Sequence, residues 1–183
     1  MINLLEKLPI IFYNTFFAFF TFVALISCMY ILYLIFALLK KKIVVDSRYH
    51  LLFLYYAASV ALFSAIGSLI YSEVVGFIPC TYCWYQRGVM YPLVILLIFM
   101  VVKKISNMPA LALSGVGVLI SIRHIYFQTG GGGSGACSVG IPCSLKYVEI
   151  FNFISIPSMA FTAFLTIFLS LLYYELLQKV KDE

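Results

Sequence analysis

Charge is what this chain has least of. Only 10% of its 183 residues are Asp, Glu, Lys or Arg, against 64% hydrophobic, and the mean hydropathy is +1.07. A water-soluble domain of this size cannot hide that much apolar surface, so lipid must be the solvent for most of the chain. The basic clusters are not interleaved on a soluble face, so a membrane explains them better than nucleic acid does. Few charges fall inside the apolar runs, which leaves a transporter reading little support. No dedicated cofactor motif is visible. The first apolar run also lacks the marks of a signal peptide. It is too long, its N-terminal side carries little positive charge, and no small-residue cleavage site precedes Lys40. It reads as an anchor helix.

What the chain does contain is five apolar runs, each near or above the roughly 20 residues that a bilayer core requires. They are Ile10–Leu39, Leu51–Tyr71, Trp84–Val102, Pro109–Phe127 and Ile150–Leu177. Aromatic residues make up 17% of the chain, many near the ends of these runs, as interfacial belts require. Lys40, Lys41, Lys42 and Arg48 occupy the first gap, Lys103 and Lys104 the third, and Lys179 and Lys181 follow the last run. These regions alternate onto one side, the cytoplasmic one by the positive-inside rule. The N-terminus and two cysteine pairs then fall on the outer side of the cell membrane, where disulfides form and persist.

The first pair lies in Cys80-Thr-Tyr-Cys83-Trp-Tyr-Gln-Arg87. Gly76 and Pro79 end the preceding segment, so Cys83 is expected at a helix N-terminus. There the dipole and unpaired amides favour a thiolate. Arg87, at i+4, shares its helix face and could stabilise that thiolate or a reduced cofactor. A Cys-x-x-Cys alone could equally be half a zinc site. The second pair is Cys137-Ser-Val-Gly-Ile-Pro-Cys143, where Gly140 and Pro142 favour a turn that lets a disulfide close. Gly130-Gly-Gly-Gly-Ser-Gly135 is a flexible lead-in to it. This second pair reads either as a structural staple or as an exposed disulfide suited to exchange with another protein. A zinc site made from all four cysteines is the rival chemistry, and a non-catalytic membrane protein with stapled outer loops is the bland one.

His124 and Gln128 are i,i+4 neighbours near the outer end of the fourth run. Arg123 reads as an interfacial anchor, Glu73 and Glu149 as solvated, Cys28 as a packed side chain. Trp84 and Tyr85 read as interfacial aromatics, though Trp84 could also wall a flat cofactor. Pro157 falls near the start of the last run, where it is tolerated or kinks the helix.

Taken together, Cys80 to Arg87 with Tyr91-Pro92, His124-Ile-Tyr-Phe-Gln128, and Cys137 to Cys143 followed by Tyr147 and Phe153-Ile-Ser-Ile-Pro157 resemble the DsbB family of membrane thiol oxidases, in particular its short BdbC type. The resemblance covers about Leu51 to Leu177. In the vitamin K epoxide reductase family the loop cysteines precede the Cys-x-x-Cys; here they follow it, as in DsbB. The resemblance implies an all-α membrane protein with a four-helix transmembrane bundle over 49–183. Residues 1–48 then form an additional N-terminal helix and a basic cytoplasmic loop. It further implies an enzyme that oxidises an extracytoplasmic thioredoxin-fold partner of the DsbA or BdbD kind. Its electrons pass to a membrane quinone, ubiquinone or menaquinone, in support of disulfide bond formation. By motif, Cys137 meets the partner, Cys143 exchanges with Cys80, Cys83 faces the quinone, and Arg87, His124 and Gln128 lie beside it. The first helix is a departure from this family, and the short Cys137–Cys143 spacing limits how far Cys143 can travel.

Overall fold

The structure, a computed structural model, describes residues 4–39, 50–103, 106–130, 143, 145–147 and 154–182; within helices, the side chains of 4–11, 13, 14, 17, 20, 34, 37–39, 50 and 179–182 are left undescribed. Cys137, Lys40, Lys41, Lys42, Arg48, Lys104, Glu149 and most of the glycine run lie outside the described residues.

Among the described residues, five helices follow in chain order: α1 Leu4–Leu39, α2 His50–Leu69, α3 Thr81–Lys103, α4 Met108–Gln128 and α5 Ile156–Asp182. A π-helical turn, Ile70–Val74, continues α2. In lipid each backbone polar group must be satisfied within its own segment, which is why long apolar runs become helices. Four of these are long and apolar enough to span a membrane: Leu51–Val74, Thr81–Lys103, Met108–Gln128 and Ile156–Gln178. In α1, the apolar stretch with described side chains is Thr21–Tyr33. Large apolar side chains such as Leu52, Ile66, Ile98 and Leu119 are exposed on the outside of the bundle, as lipid contact allows.

The helices pack through narrow stripes. On α3 the buried residues are Gln86, Met90, Leu93, Leu97 and Met100. On α4 they are Ala110, Ser114, Gly117, Ser121, His124 and Gln128. Both repeat every three or four residues, one face of a helix. The α4 stripe is mostly small, which lets backbones approach closely where no hydrophobic drive separates helix from lipid. Gly117 shows the limit: a Cβ there would overlap the ring of Phe164 on α5. Helix α5 is central, with 56% of its spanning window buried against 28% for each of the other three, and it packs on α1, α2 and α4.

The last run starts later than Ile150, with α5 opening at Ile156. Ser158 fixes that start, because its Oγ accepts from Ser155 N–H at 2.7 Å and donates to Ser155 O at 2.8 Å. Pro157 is the second residue of α5, where its missing N–H costs nothing. Conversely, α3 begins three residues before Trp84, at Thr81.

Candidate active site

Cys80 is the residue immediately before α3, and Gly76 (φ 78°) turns the chain into it after the π-helical turn. The α3 N-terminus therefore points its free amides at this cysteine. Cys83 N–H donates to Cys80 Sγ at 3.4 Å, and Cys83 Sγ lies 2.9 Å from Cys80 Sγ with both cysteines as free thiols. From α4, His124 brings Nε2 to 3.4 Å from Cys80 Sγ. Its Nδ1 lies 3.4 Å from Gln86 Oε1. Gln86 in turn donates its amide hydrogen to Ser121 Oγ at 3.0 Å, and the Ser121 hydroxyl donates to Gly117 O at 2.8 Å. This chain of partners orients the Gln86 amide with its oxygen toward the imidazole. An imidazolium here donates from both nitrogens, to Gln86 and to a Cys80 thiolate. Tyr82 stacks on the His124 ring at 5.6 Å.

The Cys80 thiol is held down to about 4, foremost by the Cys83 thiol hydrogen bond, against the opposing effect of burial, and then by His124. The sequence favours Cys83 as the thiolate. In this dithiol the donors gather on Cys80 instead, because the residue at the capping position collects the first-turn amide.

Arg87 lies one turn beyond Cys83. Its Nε donates to Ser68 Oγ at 2.8 Å and an NH2 group to Ser68 O at 2.7 Å, two bonds that fix the guanidinium against α2. Trp84 is exposed, with its ring 5.4 Å from the guanidinium carbon. Arg123 is exposed over the Phe127 ring. Glu73 is exposed as well, accepting from Ser72 Oγ. Cys28 is buried, 2.9 Å from Thr166 Oγ1.

Two pockets meet at Cys83. The larger, of about 440 Å³, is mainly apolar and is lined by Cys83, Gln86 and Arg87 together with residues of α1, α2 and α5. The smaller, of about 20 Å³, is lined by Cys80, Cys83, His124, Gln128, Leu145, Tyr147, Ile156 and Pro157. His124 and Gln128 therefore stand on the Cys80 side of the pair and are not among the residues lining the larger cavity. Tyr147 lines both pockets, donates its hydroxyl to Ile78 O at 3.2 Å and stacks on Phe77 at 4.6 Å. The segment after Cys143 is thereby tied to the loop before Cys80. Cys143 is buried and disulfide-bonded.

Cys80 Sγ, Cys83 Sγ and one nitrogen of His124 lie within 4.8 Å of one another, a donor set that would suit a soft metal. Of the four-cysteine zinc set, Cys143 is disulfide-bonded and Cys137 lies outside the described residues. Sequence reasoning did not single out Gln86, Ser68, Ser121 or Tyr82. Gln86 alone carried a signal, as the one amide in an otherwise apolar α3 stripe.

The sequence matches the family described as "Disulfide bond formation protein DsbB" over residues 48–174. The chain belongs to the DsbB family. Among curated relatives, a probable disulfide formation protein of Oceanobacillus iheyensis is 44% identical over 136 residues, covering 70% of this chain and 90% of that protein. Disulfide bond formation protein C of Bacillus subtilis is 42% identical over 121 residues, covering 64% and 88% respectively. No solved structure matches the chain. In this DsbB-family protein, both described Cys-x-x-Cys residues, His124 and Arg87 fall within the matched stretch, whereas α1 precedes it.

Proposed function

We propose that this DsbB-family protein is a thiol oxidase that reoxidises an extracytoplasmic thioredoxin-fold partner and delivers the electrons to a membrane quinone. The observation that carries the reading is the position of Cys83, in the wall shared by the Cys80–His124 pocket and the larger apolar cavity. Sulfur chemistry on one side is thus coupled to a lipophilic site on the other.

The cavity fits a quinone. Its volume lies inside the roughly 300–1,000 Å³ typical of small-molecule sites, its walls are mainly apolar, and it holds one fixed guanidinium. Arg87 would hold a quinone oxygen and Cys83 would face the ring. The quinone, when bound, supplies an acceptor for two electrons and two protons. A strongly oxidising partner dithiol sits near about −120 mV, and ~30 mV corresponds to about 1.4 kcal/mol for two electrons, so a relay of protein disulfides alone lacks the pull.

The chain's own cysteines then act in order. The partner's thiolate opens the loop disulfide at Cys137, releasing Cys143. Cys143 attacks Cys80 in a Cys80–Cys83 disulfide, breaking that bond and freeing Cys83 toward the cavity. The partner's second thiolate attacks the mixed disulfide, so that the partner leaves oxidised and Cys137 is freed as a thiolate. Attack of Cys137 on Cys143 then re-forms the loop disulfide and expels Cys80. A leaving thiol of low pKa departs faster, which gives the donors around Cys80 a purpose. The outcome is a Cys80–Cys83 dithiol with the loop disulfide restored. Oxidation of that dithiol to the disulfide releases two electrons and two protons.

The test is quinone reduction by purified protein, starting with both disulfides formed and supplied with a reduced thioredoxin-fold partner. Failure with both ubiquinone and menaquinone sinks the reading. A zinc-binding reading is favoured only by the convergence of Cys80, Cys83 and His124, and stoichiometric zinc in metal analysis would promote it.

A further inference from the structure

The family match begins at residue 48, and α1 ends at Leu39. In the Oceanobacillus relative, the matched 136 residues make up 90% of the protein. The remaining tenth is too short for a counterpart of the 36-residue α1. Yet α1 is built into this bundle. Its buried residues Ala18, Thr21, Cys28 and Ile31 form one stripe at spacings of three and seven. Three contacts seat it: Cys28 Sγ at 2.9 Å from Thr166 Oγ1 of α5, Tyr56 of α2 donating to Ser27 Oγ at 2.7 Å, and the Phe16 and Phe63 rings at 5.9 Å. The opposite face carries Phe12, Phe19, Ile26 and Met29, all exposed.

Thr21, Val23 and Ala24 line the same cavity as Cys83 and Arg87. We propose that α1 is the lipid-side wall of the acceptor cavity and that these three residues form a subsite for the apolar part of a tailed quinone. The subsite sets how tightly the quinone is held. Its side chains are short, so the wall leaves room instead of filling it, and α1 separates the cavity from the lipid that its outer face meets. A four-helix relative lacks this wall. The inference rests on the quinone reading above.

The full chain has a single tryptophan, Trp84, whose ring lies 5.4 Å from the Arg87 guanidinium carbon. Quenching of its fluorescence measures binding of short-tailed ubiquinone and menaquinone analogues without any turnover. Ala24→Phe, which puts a ring into the cavity, is expected to raise Kd about tenfold, equivalent to about 1.4 kcal/mol. Val23→Phe, at the more exposed edge of the same wall, is expected to act in the same direction and decides the matter if Ala24→Phe does not fold. Ile26→Ala, on the 70% exposed outer face, is expected to leave Kd unchanged. Wild-type Kd in folded variants filled on the cavity side overturns the role of α1 alone. A wild-type protein that binds neither quinone overturns this inference and the acceptor reading together.

Discussion

Cys80 collects three donors, and its chemistry is predicted to follow them. Because they lower the pKa of its thiol, foremost through the Cys83 hydrogen bond, the thiolate persists to lower pH than that of an ordinary cysteine and is lost as the pH falls further. Alkylation of the reduced protein at Cys80, mapped by mass spectrometry, is therefore expected to continue through pH 6 and 5, where an ordinary cysteine near 8.5 no longer reacts. His124→Ala removes one donor and should move the midpoint upward. Gln86→Leu removes the group that orients His124 and should shift it in the same direction. It also leaves Ser121 without its donor, a loss of about 1–3 kcal/mol in a buried site that thermal melting would register. A Cys80 midpoint unmoved in both variants would assign the low value to Cys83 and the α3 amide alone. Cys83→Ser is expected to abolish quinone reduction, whereas Cys137→Ser should block turnover of the partner and spare reaction of Cys80–Cys83 with quinone. Loss of stability alone in both would favour a structural staple.

Two elements carry strain or contact that a single substitution can probe. The crossing of α4 over α5 depends on Gly117, where an added methyl meets the Phe164 ring. Gly117→Ala is expected to cost about 1–3 kcal/mol by overpacking, read as a lower melting temperature in detergent. Gly115→Ala meets Phe168 only at ordinary contact distance, 3.6 Å, and should be tolerated. Near the end of α2, Ser68 precedes the π-helical turn and accepts twice from Arg87. Such turns often mark functional positions in helices. Ser68→Ala removes the hydroxyl contact and frees Arg87 to move. Its expected signature is a raised KM for quinone with an unchanged KM for the partner protein.

For the whole molecule, four spanning helices and the flanking α1 put α2–α3 and the segment after α4 at one end and the α3–α4 connection at the other. The basic residues predict that the cysteine end faces outward. Single cysteines introduced into a chain whose native cysteines are replaced would read this directly. Ser72→Cys is expected to react with a membrane-impermeant thiol reagent in intact cells, and Ser106→Cys only after the membrane is opened. The reverse pattern would overturn the orientation and, with it, access of an extracytoplasmic partner.

Much of this protein is legible without coordinates, for a physical reason. A chain this apolar has lipid as its solvent, and lipid permits long apolar runs only as self-satisfied helices, so helix number and order follow from hydropathy alone. The cysteine motif, with Arg87 at i+4, is local as well, because helical spacing is fixed by the backbone. The tertiary structure decided what depends on distance between helices. It brought His124 from α4 to Cys80, placed Gln86 between His124 and Ser121, and tied Arg87 to Ser68 across to α2. It also put Cys83 between two pockets and gave α1 a share in one of them. No spacing rule reaches across 19 to 44 residues, the separations of those contacts. Which thiol the donors select, and which helix walls the cavity, are settled by packing.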